Sequence, residues 1–383
     1  MIMLSSSMAY ISLVIIGIMV IFSCVGIIDK IFYHDSLGYG QEFEKGINTI
    51  GPLCISMVGI IALVPEITYV LKQTLCPLYE SLGLDPSLAV TSILAIDMGG
   101  YQLAMSIASN ELIGKWAGII FASLMGTTIV FTIPVGLGII KKEDNEEFSK
   151  GIIFGLASVP LGALVGGLIL GIDLLVVIKN LIIPIIFSIF IIVCIIYKPN
   201  KTVKVFTKIG VIISALSLIG LGLAITKDLV LIPLSDMGLF NINDIFFFNM
   251  LGSTKEGLIV VGLIGLMLSG ALPFVYWLRK VLQKPFQKIS KKFGISEAGI
   301  TGILLSSANN IAMFATLKDM PKKEKTINVA YAVPAAFIIG DDLAFAASNA
   351  RDCIIPMIIA KLVSGILAII IVSTYIQKTK KQK

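Results

Sequence analysis

Charge is what this chain has least of. Aspartate, glutamate, lysine and arginine make up 14% of its 383 residues, against about a quarter in ordinary soluble domains, and that excludes a water-soluble globule. The single histidine, His34, sits in a polar loop, where a solvated role is simpler than catalysis or metal binding. Cys24, Cys54, Cys76, Cys194 and Cys353 show no CxxC or other metal-type spacing, so they read as small packing residues and not as a disulfide or metal framework. No GxxxxGK[ST] sequence occurs, which removes support for ATP-driven pumping. A soluble basic domain is also missing, so the net charge of +6 reflects lysines beside a membrane and anionic lipid, with no nucleic-acid partner. Neither an enzyme nor a cofactor is expected.

What the chain has in quantity is apolar sequence: 56% hydrophobic residues and a mean hydropathy of +0.96. Eleven apolar segments lie near 8–29, 47–71, 86–108, 116–140, 151–171, 174–197, 205–226, 257–278, 296–317, 326–349 and 353–376. Most reach the roughly 20 residues that cross about 30 Å of hydrocarbon. The N-terminus lacks the basic start of a cleaved signal peptide and reads as a retained first span. If all eleven cross, the 28 lysines and arginines outside them, counting Lys208 at the edge of 205–226, divide 15 to 13 between the two faces, which fails the positive-inside rule.

Two segments carry polar or flexible residues at their centres, Asp97-Met98-Gly99-Gly100 and Ser306-Ser307-Ala308-Asn309-Asn310. Half-helices of about ten residues rise roughly 15 Å, enough to reach the midplane and return. With both segments returning to their own side the division becomes 23 to 5. The expected fold is therefore an all-α polytopic membrane protein of about nine transmembrane helices plus two re-entrant hairpins, with the N-terminus outside and the C-terminus cytoplasmic. Thr91-Ser92-Ile93-Leu94 and Thr301-Gly302-Ile303-Leu304 are 210 residues apart, as are Phe121-Ala122 and Tyr331-Ala332. This offset predicts an inverted repeat: 1–171 with a hairpin near 86–110, a linking helix at 172–200, 201–377 with a hairpin near 296–318, and a basic tail at 378–383. Transporters built this way hold substrate at the midplane. The stretch from Leu229 to Glu256, with Phe246-Phe247-Phe248, is expected as an outer loop with an interfacial aromatic anchor.

Ionisable groups inside spans cost about 2.5 to 3.5 kcal/mol each on insertion scales. Asp97 at the first hairpin tip has two readings: a carboxylate facing a polar cavity, where it accepts from an amine, or a turn cap bonded to its own backbone. Gly99 and Gly100 allow close backbone approach there. Asn309 and Asn310 at the matching tip can donate to a hydroxyl and accept from an ammonium, or serve as a helix cap. Asp341 and Asp342 are adjacent, about 100° apart on a helix, so one of them is expected to pair elsewhere. Lys361, about ten residues into the last span, is the natural counter-ion, with coupling or substrate contact as the other role. Glu66 beside Pro65 is placed near the interface. Tyr101, Phe314 or Phe345 could supply a cation-π wall.

Phe43-Glu44-Lys45-Gly46, Asp97-Met98-Gly99-Gly100, Met125-Gly126-Thr127-Thr128-Ile129-Val130-Phe131-Thr132-Ile133-Pro134, Asn309-Asn310-Ile311-Ala312-Met313-Phe314 and Gly340-Asp341-Asp342-Leu343 together resemble the ethanolamine permease family, EutH, of bacterial ethanolamine utilisation. The order and spacing fit from about residue 20 to about residue 375. The resemblance implies uptake of ethanolamine across the bacterial cytoplasmic membrane. One departure is visible: family members carry Gly-Asp-His-Leu where this chain has Gly340-Asp341-Asp342-Leu343, which removes a histidine and adds a negative charge. The block Pro356-Met357-Ile358-Ile359-Ala360-Lys361-Leu362 keeps its lysine.

The resulting expectation is a secondary permease or facilitator for ethanolamine. Asp97, Gly99, Gly100, Tyr101, Asn309, Asn310, Phe314 and Asp341 are the expected substrate-site residues, and Asp342 with Lys361 the structural or coupling charges. A passive channel for the neutral amine and a membrane sensor or scaffold are the alternatives. A homo-oligomer is expected by analogy with transporters of hairpin architecture.

Overall fold

A segment that crosses hydrocarbon finds no water for its peptide groups, so it closes its hydrogen bonds internally. The computed structural model describes residues 2–239, 241, 248, 250–293 and 296–381, and every regular element among them is helical. In chain order these are α1 (Ile2–Phe32), α2 (Tyr39–Ser81), α3 (Ser87–Thr91), α4 (Tyr101–Ile107), α5 (Glu111–Ile139), α6 (Asn145–Leu170) and α7 (Leu174–Tyr197). They continue with α8 (Pro199–Thr226), α9 (Thr254–Phe293), α10 (Glu297–Ala308), α11 (Asn310–Thr316), α12 (Lys322–Ala335), α13 (Asp341–Asn349) and α14 (Ile354–Lys381). Among the described residues, eight helices are long and apolar enough to span a bilayer. The chain is an all-α polytopic membrane protein.

The segment at 86–108 folds back on itself. Asp85 accepts from Ser109 N at 2.8 Å, so residues at its two ends touch, where a straight helix of that length would hold them roughly 36 Å apart. The same carboxylate caps α3 through Ser87 N at 3.0 Å. Reversal occurs at Ile96–Gly100, where Gly99 adopts φ +84. A Cβ on Gly99 would lie 2.0 Å from Ile60 Cγ2, so the turn needs glycine for both its conformation and its contact with α2. The second hairpin breaks at Asn309, whose backbone is extended between α10 and α11. Its base is closed by Glu324, which accepts from Ser296 N at 2.9 Å.

The segment at 326–349, expected as one continuous span, is interrupted. α12 ends at Ala335 and α13 starts at Asp341, with Phe337 at φ 60 between them. The interrupted pair still runs the length of α5: Lys325 Nζ meets Asp144 at 2.5 Å beyond one end, and Asp352 meets Lys115 at 2.8 Å at the other. Pro334 in the last turn of α12 removes one backbone donor near the break. The linker then bonds to the end of α10, Phe337 N to Ser306 O at 3.0 Å and Ile339 N to Ser307 O at 2.9 Å. Among the described residues, three interrupted helical segments thus lie among eight continuous ones.

Close packing around these breaks comes from small residues. A Cβ on Gly155 of α6 would stand 2.4 Å from Val333 Cβ, and one on Gly162 2.5 Å from Ala360 O, so α6 approaches both α12 and α14 at backbone distance. Of the expected aromatic anchor, Phe246 and Phe247 lie outside the described residues, while Phe248 packs beside Ala62, Leu63 and Leu251. The hairpin geometry has a direct test. In a cysteine-free background, Leu82→Cys and Asn110→Cys are expected to react with an impermeant thiol reagent from the same side of the membrane, and labelling from opposite sides would refute the first hairpin.

Candidate functional site

The ends of a helix leave its last four carbonyls without intrahelical donors, and the break after α12 would bury such groups in the protein interior. Side chains from three other elements meet them. Ala332 O accepts from Asn310 Nδ2 at 3.5 Å, Val333 O from Thr128 Oγ1 at 3.1 Å and Pro334 O from Lys361 Nζ at 3.2 Å. Lys361 is fully buried, and its ammonium also donates to Ser123 O at 2.8 Å and lies 2.9 Å from Asp342 Oδ2. The lysine therefore pairs with Asp342, at the positive end of α13, and not with Asp341.

The tips of all three interrupted segments meet around this pair. The turn Ile96–Gly100 packs against α13, and the carboxylates of Asp97, Asp341 and Asp342 lie within one another's electrostatic field. A Cβ on Gly340 would fall 2.2 Å from Ala308 O, so the break before α13 sits directly on the tip of the second hairpin. Asp97 and Asp341 are half-buried, and among the described residues neither makes an ion pair. Asp342 and Lys361 neutralise each other, so of these three carboxylates Asp97 and Asp341 are the two without a cationic partner among the described residues. Glu66 lies in the field of Lys227 and does not join the group.

The remaining expected residues take different places. Asn309 Oδ1 accepts from Ile311 N at 2.8 Å and caps α11, the structural one of its two readings. Asn310 is fully buried and donates to Thr132 Oγ1 at 3.1 Å, while among the described residues its Oδ1 has no donor. Tyr101, next to Gly100, donates to Asn349 O at 3.4 Å and stands edge-on to Phe345 with centroids 5.7 Å apart. Phe314 is 2% exposed and packs edge-to-face on Phe148, as part of the apolar core. The sequence assigns no role to Ser123, and Thr128 and Thr132 enter it only within the family-like block from Met125 to Pro134. For Thr128 and Thr132 the available signal is a pair of hydroxyl residues inside an apolar run, whereas Ser123 takes part through its carbonyl. Ser123 belongs to the π-helical stretch Trp116–Gly126, and Thr128 and Thr132 to a second one at Thr128–Thr132, an uncommon geometry that often marks functional sites. Among the described residues no group of three or more His, Cys, Asp or Glu side chains is placed to hold a metal.

Breaks in membrane-spanning helices that gather carboxylates and helix-end carbonyls in the interior mark a polytopic membrane protein of the layout that transporters share. The chain belongs to the EutH family of ethanolamine utilisation proteins, whose family model matches residues 11–375. It is 41% identical over 359 residues to a probable ethanolamine permease EutH of Listeria monocytogenes, covering 93% of this chain and 92% of that one. Identity is 37% to Bacillus subtilis YxeR, an uncharacterised protein, over 90% of each chain. It is 34% to the probable ethanolamine permease EutH of Salmonella typhimurium, over 93% of each. No solved structure matches the chain.

The buried pair has a measurable consequence. Lys361→Ala should destabilise the purified protein by about 3 to 5 kcal/mol, because it strands a buried carboxylate, while Lys361→Met combined with Asp342→Leu should recover most of that loss. Thermal unfolding of the two variants checks this, and equal losses in both would show that the charge pairing is not what holds the break.

Proposed function

We propose that this protein is a permease that brings ethanolamine across the bacterial cytoplasmic membrane for its utilisation. The observation that carries the reading is the pair of cation-free carboxylates, Asp97 and Asp341, set where three interrupted segments meet. Ethanolamine is an alkylamine that is mostly protonated near neutral pH, as a lysine side chain is. Its ammonium suits Asp97 and Asp341. Its hydroxyl suits the unpartnered Oδ1 of Asn310, since a buried acceptor without a donor costs about 1 to 3 kcal/mol until something donates to it. Tyr101, beside the first hairpin turn, supplies the aromatic side of the site, its ring braced edge-on by the fully buried Phe345. Gly99 and Gly100 shape the tight hairpin turn that carries Asp97.

In this reading the halves 1–171 and 201–377 are inverted repeats about the linking helix α7, the N-terminus faces outward and the lysine-rich face is cytoplasmic. Transport follows from movement of one hairpin-containing unit against the rest. The experiment is uptake of labelled ethanolamine into liposomes carrying the purified protein. Asp97→Asn, which removes a hydrogen bond to a charged group worth about 1.5 to 3 kcal/mol, should weaken uptake at limiting substrate by roughly ten- to a hundredfold. Undiminished uptake by a well-folded Asp97→Asn variant would remove Asp97 from the site, and absence of protein-dependent uptake in the wild type would defeat the permease reading.

A further inference from the structure

The ammonium of Lys361 is held by oxygens of the kind that hold a metal ion. Its partners are Ser123 O at 2.8 Å, Pro334 O at 3.2 Å and Asp342 Oδ2 at 2.9 Å, and the side chain has no exposure to solvent. Two of the three are main-chain carbonyls at helix irregularities, one in the π-helical stretch Trp116–Gly126 and one in the last turn of α12. The third is a carboxylate in the first turn of α13. Carbonyls of broken helices, at the negative end of a half-helix, are the ligands with which such membrane proteins bind sodium near the midplane. Here one positive charge already fills the place. Asp342 neutralises it, so no charge remains there to attract a second monovalent cation.

We propose that Lys361 is a built-in substitute for an alkali cation: the chain carries its own cation at the α12–α13 break and takes up no sodium there. Truncating the side chain then uncovers a cation site made of Ser123 O, Pro334 O and Asp342. What this says about uptake rests on the permease reading, whereas the uncovered site rests on the geometry alone.

Thermal unfolding of the purified full-length protein in sodium, potassium or choline chloride at equal ionic strength tests the proposal. Lys361→Ala should unfold earlier than wild type in choline, and its midpoint should climb with the logarithm of sodium concentration, as for any ligand that binds only the folded state. The wild type and Lys361→Met, whose side chain fills the space without a charge, should respond equally little to the choice of cation. Adding Asp342→Asn to Lys361→Ala should abolish the sodium response. Indifference of Lys361→Ala to sodium and potassium, or a response equal to that of the wild type, would overturn the idea.

A second measurement does not depend on that variant surviving purification. An imposed sodium gradient should change neither the rate nor the extent of ethanolamine uptake by the wild type in liposomes. Sodium-driven accumulation that persists in Asp97→Asn but is lost in Asp342→Asn would place sodium at the break and overturn the proposal. Absence of all uptake would instead defeat the permease reading, with the unfolding experiment left to decide the cation site.

Discussion

Lys361 and Asp342 hold together a helix that does not exist as a continuous object. α12 ends and α13 begins inside the protein, and the polar ends so created face each other across the linker 336–340. Left alone, each buried carbonyl there would cost about 1 to 3 kcal/mol. The lysine removes one such cost at Pro334 O and cancels the charge of Asp342 in the same act. Thr128 and Asn310 treat the two preceding carbonyls in the same manner. Because Thr128 belongs to α5, Asn310 to the second hairpin and Lys361 to α14, the break in one helix becomes the point at which three other elements are registered.

Much of the fold was legible before any coordinates, and the reason is electrostatic. Lysines beside a bilayer report sidedness, so a 23 to 5 division selected two returning segments over eleven crossing ones. The structure folds 86–108 and 296–317 back through contacts at their bases. The break in 326–349 was not legible, because Tyr331 to Ile339 reads as an unbroken apolar run. Pro334 is no marker by itself, because Pro65, Pro160, Pro184 and Pro273 all sit inside helices that continue past them. A proline marks a break only when neighbouring groups satisfy the freed carbonyls, and a carbonyl has no signature in sequence. Ser123 enters the site through its main chain alone, so no reading of side chains could have found it.

Which of two adjacent aspartates meets the lysine was equally hidden. The pair had to split, since neighbours on a helix point about 100° apart, but the direction of the split depends on where α14 lies. With α14 on the Asp342 side, Asp342 is 2% exposed and neutralised, and Asp341 is left half-buried toward Asp97.

That division of labour bears on how the site can work. Two carboxylates near each other repel, and the repulsion is relieved by any cation that arrives between them. A cation bound at Asp341 acts one residue away from the charge that fixes α13 to α14, and Gly340 on the other side rests against the tip of the second hairpin. In the proposed reading, a cation at the pair links the first hairpin, through Asp97, to α13, through Asp341, while Lys361 holds α13 to α12 and α14. Interrupted helices have short segments that can tilt without breaking a hydrogen-bond ladder. The lysine sets a limit on that tilt, because separating it from Asp342 would expose a bare charge in the interior at a cost of several kcal/mol. Under the proposed reading, Lys361 therefore holds α12, α13 and α14 together as the unit against which the hairpins move.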